Sequence, residues 1–207
     1  MDGSGTKDAG QALERQPGYN PVGMSDVWLI TGIPGAGKTT VGQLLAERFE
    51  RSVLIEGDRL QEWIVSGNVW PGLEPAAESS RQMQLNMRNQ CLLAQSYAAS
   101  GFTAVIDYVI VTRANIEAYR QGLAGLGVHL VILHPGQLVV IAREADRAKS
   151  RRHREKHGLS IGEHYAYLEG PLITELSDIG LWINNAQLTP EATVDAILER
   201  REQARLA

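Results

Sequence analysis

The chain has a single cysteine, Cys91, among its 207 residues, so no internal disulfide holds it and the thiol suits a reducing compartment. Cys91 falls beside Leu92 and Leu93 in a segment of helical spacing, which reads as a core position and not as a catalytic thiol. No apolar run approaches the ~20 residues of a bilayer span, and the N-terminus lacks the apolar segment of a secretion signal. Those absences exclude a membrane-embedded class, and a cytosolic protein is expected. The histidines are scattered and there is one cysteine, so no zinc-ligand spacing exists. Internal repeats are absent. Residues 1–23 lack Ile, Phe and Trp and are rich in Gly, Asp, Gln and Pro; they are expected to be a disordered leader or extension, leaving 24–207 as one folded domain.

Positive charge is scarce overall, with a net charge of −4. It is also concentrated. Residues 143–157 hold Arg143, Arg147, Lys149, Arg151, Arg152, Arg154 and Lys156 against Glu144, Asp146 and Glu155, so the remainder of the chain is strongly acidic. An acidic body with one basic segment suits a lid that handles phosphate better than a general nucleic-acid surface.

The most informative stretch is Gly32–Ile33–Pro34–Gly35–Ala36–Gly37–Lys38–Thr39, which meets each fixed position of the phosphate-binding loop G-x-x-x-x-G-K-[ST]. Its flanks fit. Val27–Trp28–Leu29–Ile30–Thr31 reads as a buried strand, and from Thr40 the apolar residues Val41, Leu44, Leu45 and Phe49 fall on one helical face. Glycines let backbone N–H groups turn toward a phosphate, and the positive end of the following helix adds to the attraction. Lys38 is placed for the β- and γ-phosphates, and the Thr39 hydroxyl for Mg²⁺. Gly32, Pro34, Gly35, Ala36, Gly37, Lys38, Thr39 and Thr40 are the nucleotide-binding candidates.

Further strands are expected at 52–56, 103–107, 128–133 and 179–184, separated by helical segments. One long helix is expected over 75–100, others over 113–126 and 190–201, and one over 161–176 interrupted at Gly170–Pro171. This alternation predicts an α/β fold of three layers, a central five-stranded parallel sheet with helices on both faces and a helical lid near 143–158. The second strand is expected beside the first. Ligands of such sheets bind at the carboxyl ends of the strands. Those ends carry the loop, Glu56–Gly57–Asp58, and Asp107.

Asp58 could orient an acceptor hydroxyl and take its proton, against a reading as a helix N-cap. Arg59 is a candidate for an anionic substrate or a solvated charge. Asp107 ends an apolar strand, where a carboxylate supports a Mg²⁺ shell; no Glu follows it, which argues against a water-activating ATPase. Arg143, Arg147 and Arg151 recur at roughly helical spacing and could stabilise the transferring phosphoryl group. Trp63 reads as core before it reads as a wall for an organic acceptor, and Tyr108 joins the acceptor candidates. His134, in a turn after a strand, reads as structural.

GIPGAGKTT at 32–40, IEGDR at 55–59, VIDY at 105–108 and INNAQLTPEATVDAIL at 183–198 together resemble the small-molecule kinase branch of P-loop proteins. That branch includes gluconate kinase, adenylylsulfate kinase, chloramphenicol phosphotransferase-like and zeta-toxin-like kinases, and the kinase domain of polynucleotide repair enzymes. The likeness runs from about Val27 to Leu198. It implies that Asp58 meets the acceptor hydroxyl and that the basic helix is the lid. It also implies that the loop from Asn184 to Leu188, with Asn184 and Gln187, lies at the adenine.

The expected function is an ATP- and Mg²⁺-dependent kinase acting on a hydroxyl of a small organic molecule. Antibiotic, sugar acid and nucleoside are open as acceptors, as is the oligomeric state. One rival is a polynucleotide 5′-hydroxyl kinase. Residues 58–100 disfavour it, with Arg59, Arg81 and Arg88 against Asp58, Glu62, Glu74 and Glu78. The other rival is a nucleotide-dependent switch or toxin-like regulator that binds a protein partner.

Overall fold

The strand that feeds the phosphate-binding loop, β1 (Asp26–Thr31), has Val27, Trp28, Leu29 and Ile30 wholly buried. Such an unbroken apolar run is what a strand covered on both faces requires. A computed structural model describes residues 26–145 and 148–206 of the chain. The 1–23 leader and Arg147 lie outside the described residues.

Around β1, the strands β2 (Ser52–Glu56), β3 (Thr103–Asp107), β4 (Gly127–Leu133) and β5 (Leu181–Ile183) form one sheet in the order β2-β3-β1-β4-β5. All four pairings are parallel. The sheet therefore has the five strands and the parallel sense that the alternation of elements predicts. Its order corrects one expectation, because β3 lies between β1 and β2. Burial explains why. Ala104 to Asp107 of β3 are all buried, whereas β2 buries only Ile55 and carries Ser52 and Glu56 at its ends. The more apolar strand takes the interior place, and the half-exposed one takes the edge.

The helices are α1 (Lys38–Ala46), α2 (Gly57–Glu62), α3 (Ala76–Ala99), α4 (Arg113–Gly122), α5 (Gln137–Ala145), α6 (Ala148–His157), α7 (Ile161–His164), α8 (Glu169–Leu176), α9 (Pro190–Glu199) and α10 (Arg201–Ala204). A 3₁₀ turn, Ala166–Leu168, joins α7 to α8. Packed against the sheet, α1 buries Val41, Leu45 and Ala46. The helix expected over 161–176 breaks at Tyr165 and not at Gly170–Pro171. Pro171 instead sits in the first turn of α8, where its missing N–H breaks no intrahelical bond. Local caps set several starts: Thr112 accepts from Asn115 N for α4, Thr189 from Ala192 N for α9, and Ser160 with Glu163 forms a capping box on α7. Among the described residues no helix is long and apolar enough to cross a membrane.

Leu29 is wholly buried in the central strand, while Leu138 on α5 is 83% exposed. Leu29→Ala should lower the unfolding free energy by about 2–5 kcal/mol, and Leu138→Ala should change it by less than about 0.5 kcal/mol. Urea denaturation followed by circular dichroism measures both.

Candidate active site

The loop between β1 and α1 is built on close approach. Gly35 has φ +92°, and a side-chain carbon there would come within 2.8 Å of the Val140 carbonyl oxygen and 2.9 Å of Glu144 Cγ on α5. Only glycine meets both conditions. Gly37 is the N-cap of α1 and offers no side-chain cap, so the first amides of that helix are open to an anion. Lys38 folds back over the loop, its Nζ donating to the Ile33 carbonyl at 3.4 Å.

Thr39 lies one residue into α1, and its hydroxyl donates to Asp107 Oδ2 at 2.5 Å. Asp107 is the last residue of β3 and is 7% exposed. In the sheet register it stands beside Ile30 of β1 on one side and Glu56 of β2 on the other. The two oxygens so brought together are of the hard kind that Mg²⁺ takes, which fits a divalent cation at this end of the loop.

A second set of contacts closes the loop from the far side. Arg143 on α5 donates to the Ala36 carbonyl at 3.4 Å and to the Asn185 carbonyl at 2.9 Å. Asn185 Nδ2 donates to the same Ala36 oxygen at 3.0 Å. Asn185 is 4% exposed, and its Oδ1 is buried without a hydrogen-bond partner. Asn184 instead spends its Oδ1 on the Ala186 amide at 3.1 Å, and Gln187 is exposed on the loop. The residue against the phosphate-binding loop is therefore Asn185, which the sequence reading did not single out. The signal was present: Leu181, Ile183 and Asn185 alternate as buried positions along and just past β5. Arg143 belongs to α5 and reaches the loop, whereas Arg151 lies exposed on α6. Arg154 of the same helix pairs with Glu163 at 3.2 Å.

On the other side of Asp107, Asp58 is exposed in the first turn of α2. Its N-cap is Glu56, so Asp58 is not the cap that the alternative reading made it. The preceding Gly57 is held in place by its neighbours: Asn86 Nδ2 on α3 donates to its carbonyl at 2.8 Å, and the Tyr108 ring packs on its Cα face. Asn86 is held in turn by Gln90 at 2.8 Å, and Gln90 accepts from the Tyr119 hydroxyl at 2.5 Å. Gln82, Asn86 and Gln90 are all buried; spaced by four, they form a polar ladder on the inner face of α3. Nothing in their residue types marks them as interior, since amides are ordinarily exposed.

Tyr108 is 5% exposed, and its hydroxyl is buried without a hydrogen-bond partner. Burial pushes its phenol pKa up, and the Asp58 charge adds to the effect. Tyr165 is raised by burial, by Tyr167 and then by Asp58. These two tyrosines, from β3's end and from the break after α7, thus share the field of one carboxylate. Arg59 does not face the cleft as a free cation: it pairs with Glu62 at 3.0 Å and approaches Glu56 at 3.9 Å. Trp63 is 69% exposed, which overturns its reading as core; it ends α2 and turns outward. His134 binds Glu169 at 2.9 Å and stands edge-on to Trp182, a structural role. Cys91 is buried with its thiol pushed up to about 11 by desolvation, so it stays protonated and inert.

A family profile described as an AAA domain matches residues 27–166, more than half of the chain, and the protein belongs to that P-loop family. Its fold is that of the P-loop kinases. A UPF0200 protein of Saccharolobus islandicus is 25% identical over 147 residues, covering 66% of this chain and 78% of its own. Among solved structures, a sugar kinase from a Janibacter species superimposes with TM-score 0.62 at 16% identity, covering 87% of this chain and 96% of its own. A gluconokinase from Sinorhizobium meliloti gives TM-score 0.56 at 20% identity, covering 87% and 94%. The resemblance drawn from the loop and from IEGDR, VIDY and INNAQLTPEATVDAIL agrees with these neighbours.

Gly57 is the tightest point of the acceptor side, where a Cβ would lie 2.2 Å from the Tyr108 ring and 2.5 Å from Gln90 Nε2. Gly57→Ala should therefore cost about 1–3 kcal/mol in stability. Thermal unfolding measures it, and an unchanged Tm would show that the ladder yields freely.

Proposed function

We propose that this protein is an ATP- and Mg²⁺-dependent kinase that transfers the γ-phosphoryl group to a hydroxyl of a small organic molecule. The observation that carries this reading is the register Ile30–Asp107–Glu56 across three adjacent strand ends. It sets the phosphate-binding loop, the buried carboxylate and Asp58 side by side along one edge of the sheet. A donor, a metal and an acceptor need that order in space.

In this reading Lys38 and the α1 amides hold the β- and γ-phosphates, with Lys38 leaving the Ile33 carbonyl to do so. Thr39 and Asp107 would hold Mg²⁺, which would supply charge neutralisation on the phosphate oxygens. Arg143 and Asn185 brace the loop beneath the nucleotide, and Arg151 and Arg147 approach from the lid. Asp58 orients the acceptor hydroxyl and accepts its proton. The acceptor oxygen forms the new bond to phosphorus, the bond from phosphorus to the β–γ bridging oxygen breaks, and ADP leaves with that electron pair. Tyr108 borders the acceptor. Residues 58–100, with four acids against three arginines, disfavour a polynucleotide acceptor.

Lys38→Ala should lower kcat about 10²-fold or more, the scale of a lost electrostatic contact to the transition state. Asp58→Asn should lower kcat about 10²- to 10⁴-fold while nucleotide affinity stays near that of the wild type. Coupled ADP-release assays across hydroxylated acceptors, with nucleotide binding by calorimetry, read both. Full transfer by Asp58→Asn would remove Asp58 from the chemistry. Chelating the metal with EDTA should abolish transfer, and added Mg²⁺ should restore it.

A further inference from the structure

Away from the phosphate-binding loop, α3 and α4 leave an open groove of about 510 Å³ between them. Its walls run from Gln84 to Gln95 on α3 and from Ala114 to Gly122 on α4. The two helices meet at Gly122, where a side-chain carbon would come within 2.8 Å of Cys91 Sγ and where Gln95 Nε2 donates to the Gly122 carbonyl at 2.7 Å. The apolar lining is Met87, Cys91, Leu92, Ala114 and Ala118. Leu92 is 57% exposed there, and Met87 and Cys91 are nearly buried beneath the surface. The Cys91 thiol, held protonated by desolvation, adds to the apolar surface and offers no nucleophile. A groove of this volume falls within the roughly 300–1,000 Å³ that small organic molecules occupy, and its apolar lining with a few polar groups is the chemistry of such sites.

Charge says which kind of molecule it fits. Of the described residues that line the groove, Arg88 alone is charged, and the other polar ones are neutral amides. The arginines around it are taken: Arg81 by Glu78 at 2.7 Å, Arg113 by Asp178, and Arg120 by Glu117 at 3.5 Å. Arg88 is exposed and pairs with no carboxylate among the described residues. A guanidinium beside an apolar groove gives a carboxylate two parallel donors next to a surface that takes its hydrocarbon body.

We propose that the α3–α4 groove binds a small organic monoanion, its ring or hydrocarbon body lying on Met87, Leu92 and Ala118 and its carboxylate on Arg88. The site is distinct from the acceptor side. Met87 and Cys91 each follow a residue of the amide ladder, Asn86 and Gln90, by about 100° round the helix, so the groove occupies a different face of α3 from the one that holds the Gly57 carbonyl. The inference therefore stands apart from the kinase reading.

The test uses one ring system in three charge states: naphthoate, naphthalenemethanol and naphthylmethylamine, all substituted at the same ring position. Each is titrated into the full chain with Mg²⁺ and a non-hydrolysable ATP analogue present, which keeps the anion from the phosphate-binding loop. The isotope-labelled Met87 methyl resonance, assigned with Met87→Leu, reports both place and affinity. Naphthoate should shift that resonance and bind at least about threefold more tightly than the alcohol, with the amine weakest, on the scale of one exposed ion pair. Arg88→Gln should leave Tm unchanged, keep the affinity for the alcohol and remove the preference for the anion. Equal binding of all three probes to the wild type overturns the proposal, as does an anion preference that survives in Arg88→Gln. Binding that leaves Met87 unmoved, or binding of no probe, also overturns it. A Met87 resonance that moves with protein concentration alone would assign the groove to a second copy of the chain and likewise contradict a small-molecule occupant.

Discussion

The hydrogen bond from Thr39 to Asp107 is the contact on which the rest of the site depends. It joins the start of α1 to the end of β3, two points 68 residues apart in sequence, and it forms only because β3 is the immediate neighbour of β1. The same placement separates the phosphate-binding loop from β2 by the width of one strand. Asp107 therefore stands between the loop and Asp58. Had β2 paired with β1, Asp58 would abut the loop, and Asp107 would lie on the outer flank.

Two buried polar assemblies support this edge from behind. On one side Arg143 and Asn185 fasten the Ala36 carbonyl, tying the loop to α5 and to the chain after β5. On the other, Asn86 and Gln90 on α3, with Tyr119 on α4, fasten the Gly57 carbonyl and so set where α2 begins. Buried amides are costly where an atom goes unpaired, as Asn185 Oδ1 does, and their hydrogen bonds to backbone carbonyls hold a defined geometry. Here they hold the residues on either side of Asp107. The fold places its polar interior where precision is needed, and leaves the sheet's centre to Val27, Leu29, Ile30 and Ile106.

The phosphate-binding loop and the parallel sheet were legible because both rest on local pattern: fixed glycines and lysine in eight residues, and apolar runs bounded by turns. The positions of Asp107, closing β3, and of Asp58, just past the end of β2, follow from the same local pattern. The strand order was not, since it turns on the relative burial of Ser52–Glu56 and Thr103–Asp107, a comparison between distant segments. Gln82, Asn86 and Gln90 carry no local signal of burial, because an amide in an isolated helix favours water and only α2, the turn at 67–69 and α4 together give them partners. Trp63 looked like core for the converse reason: its size favours burial, but α2 ends there and among the described residues no element covers it. Asn185 was not legible as an interior residue because an amide ordinarily favours water, although it continues the buried alternation of β5.

The central claim is that Asp107 and Thr39 hold a metal between phosphate donor and acceptor. A crystal structure with Mg²⁺ and a non-hydrolysable ATP analogue tests it most directly. The account predicts Mg²⁺ at about 2.1 Å from Thr39 Oγ1, Asp107 turned from the Thr39 hydroxyl toward the metal shell, and Lys38 Nζ moved from the Ile33 carbonyl to the phosphates. A metal bound away from Thr39, or Lys38 still on Ile33 with phosphates elsewhere, would contradict it.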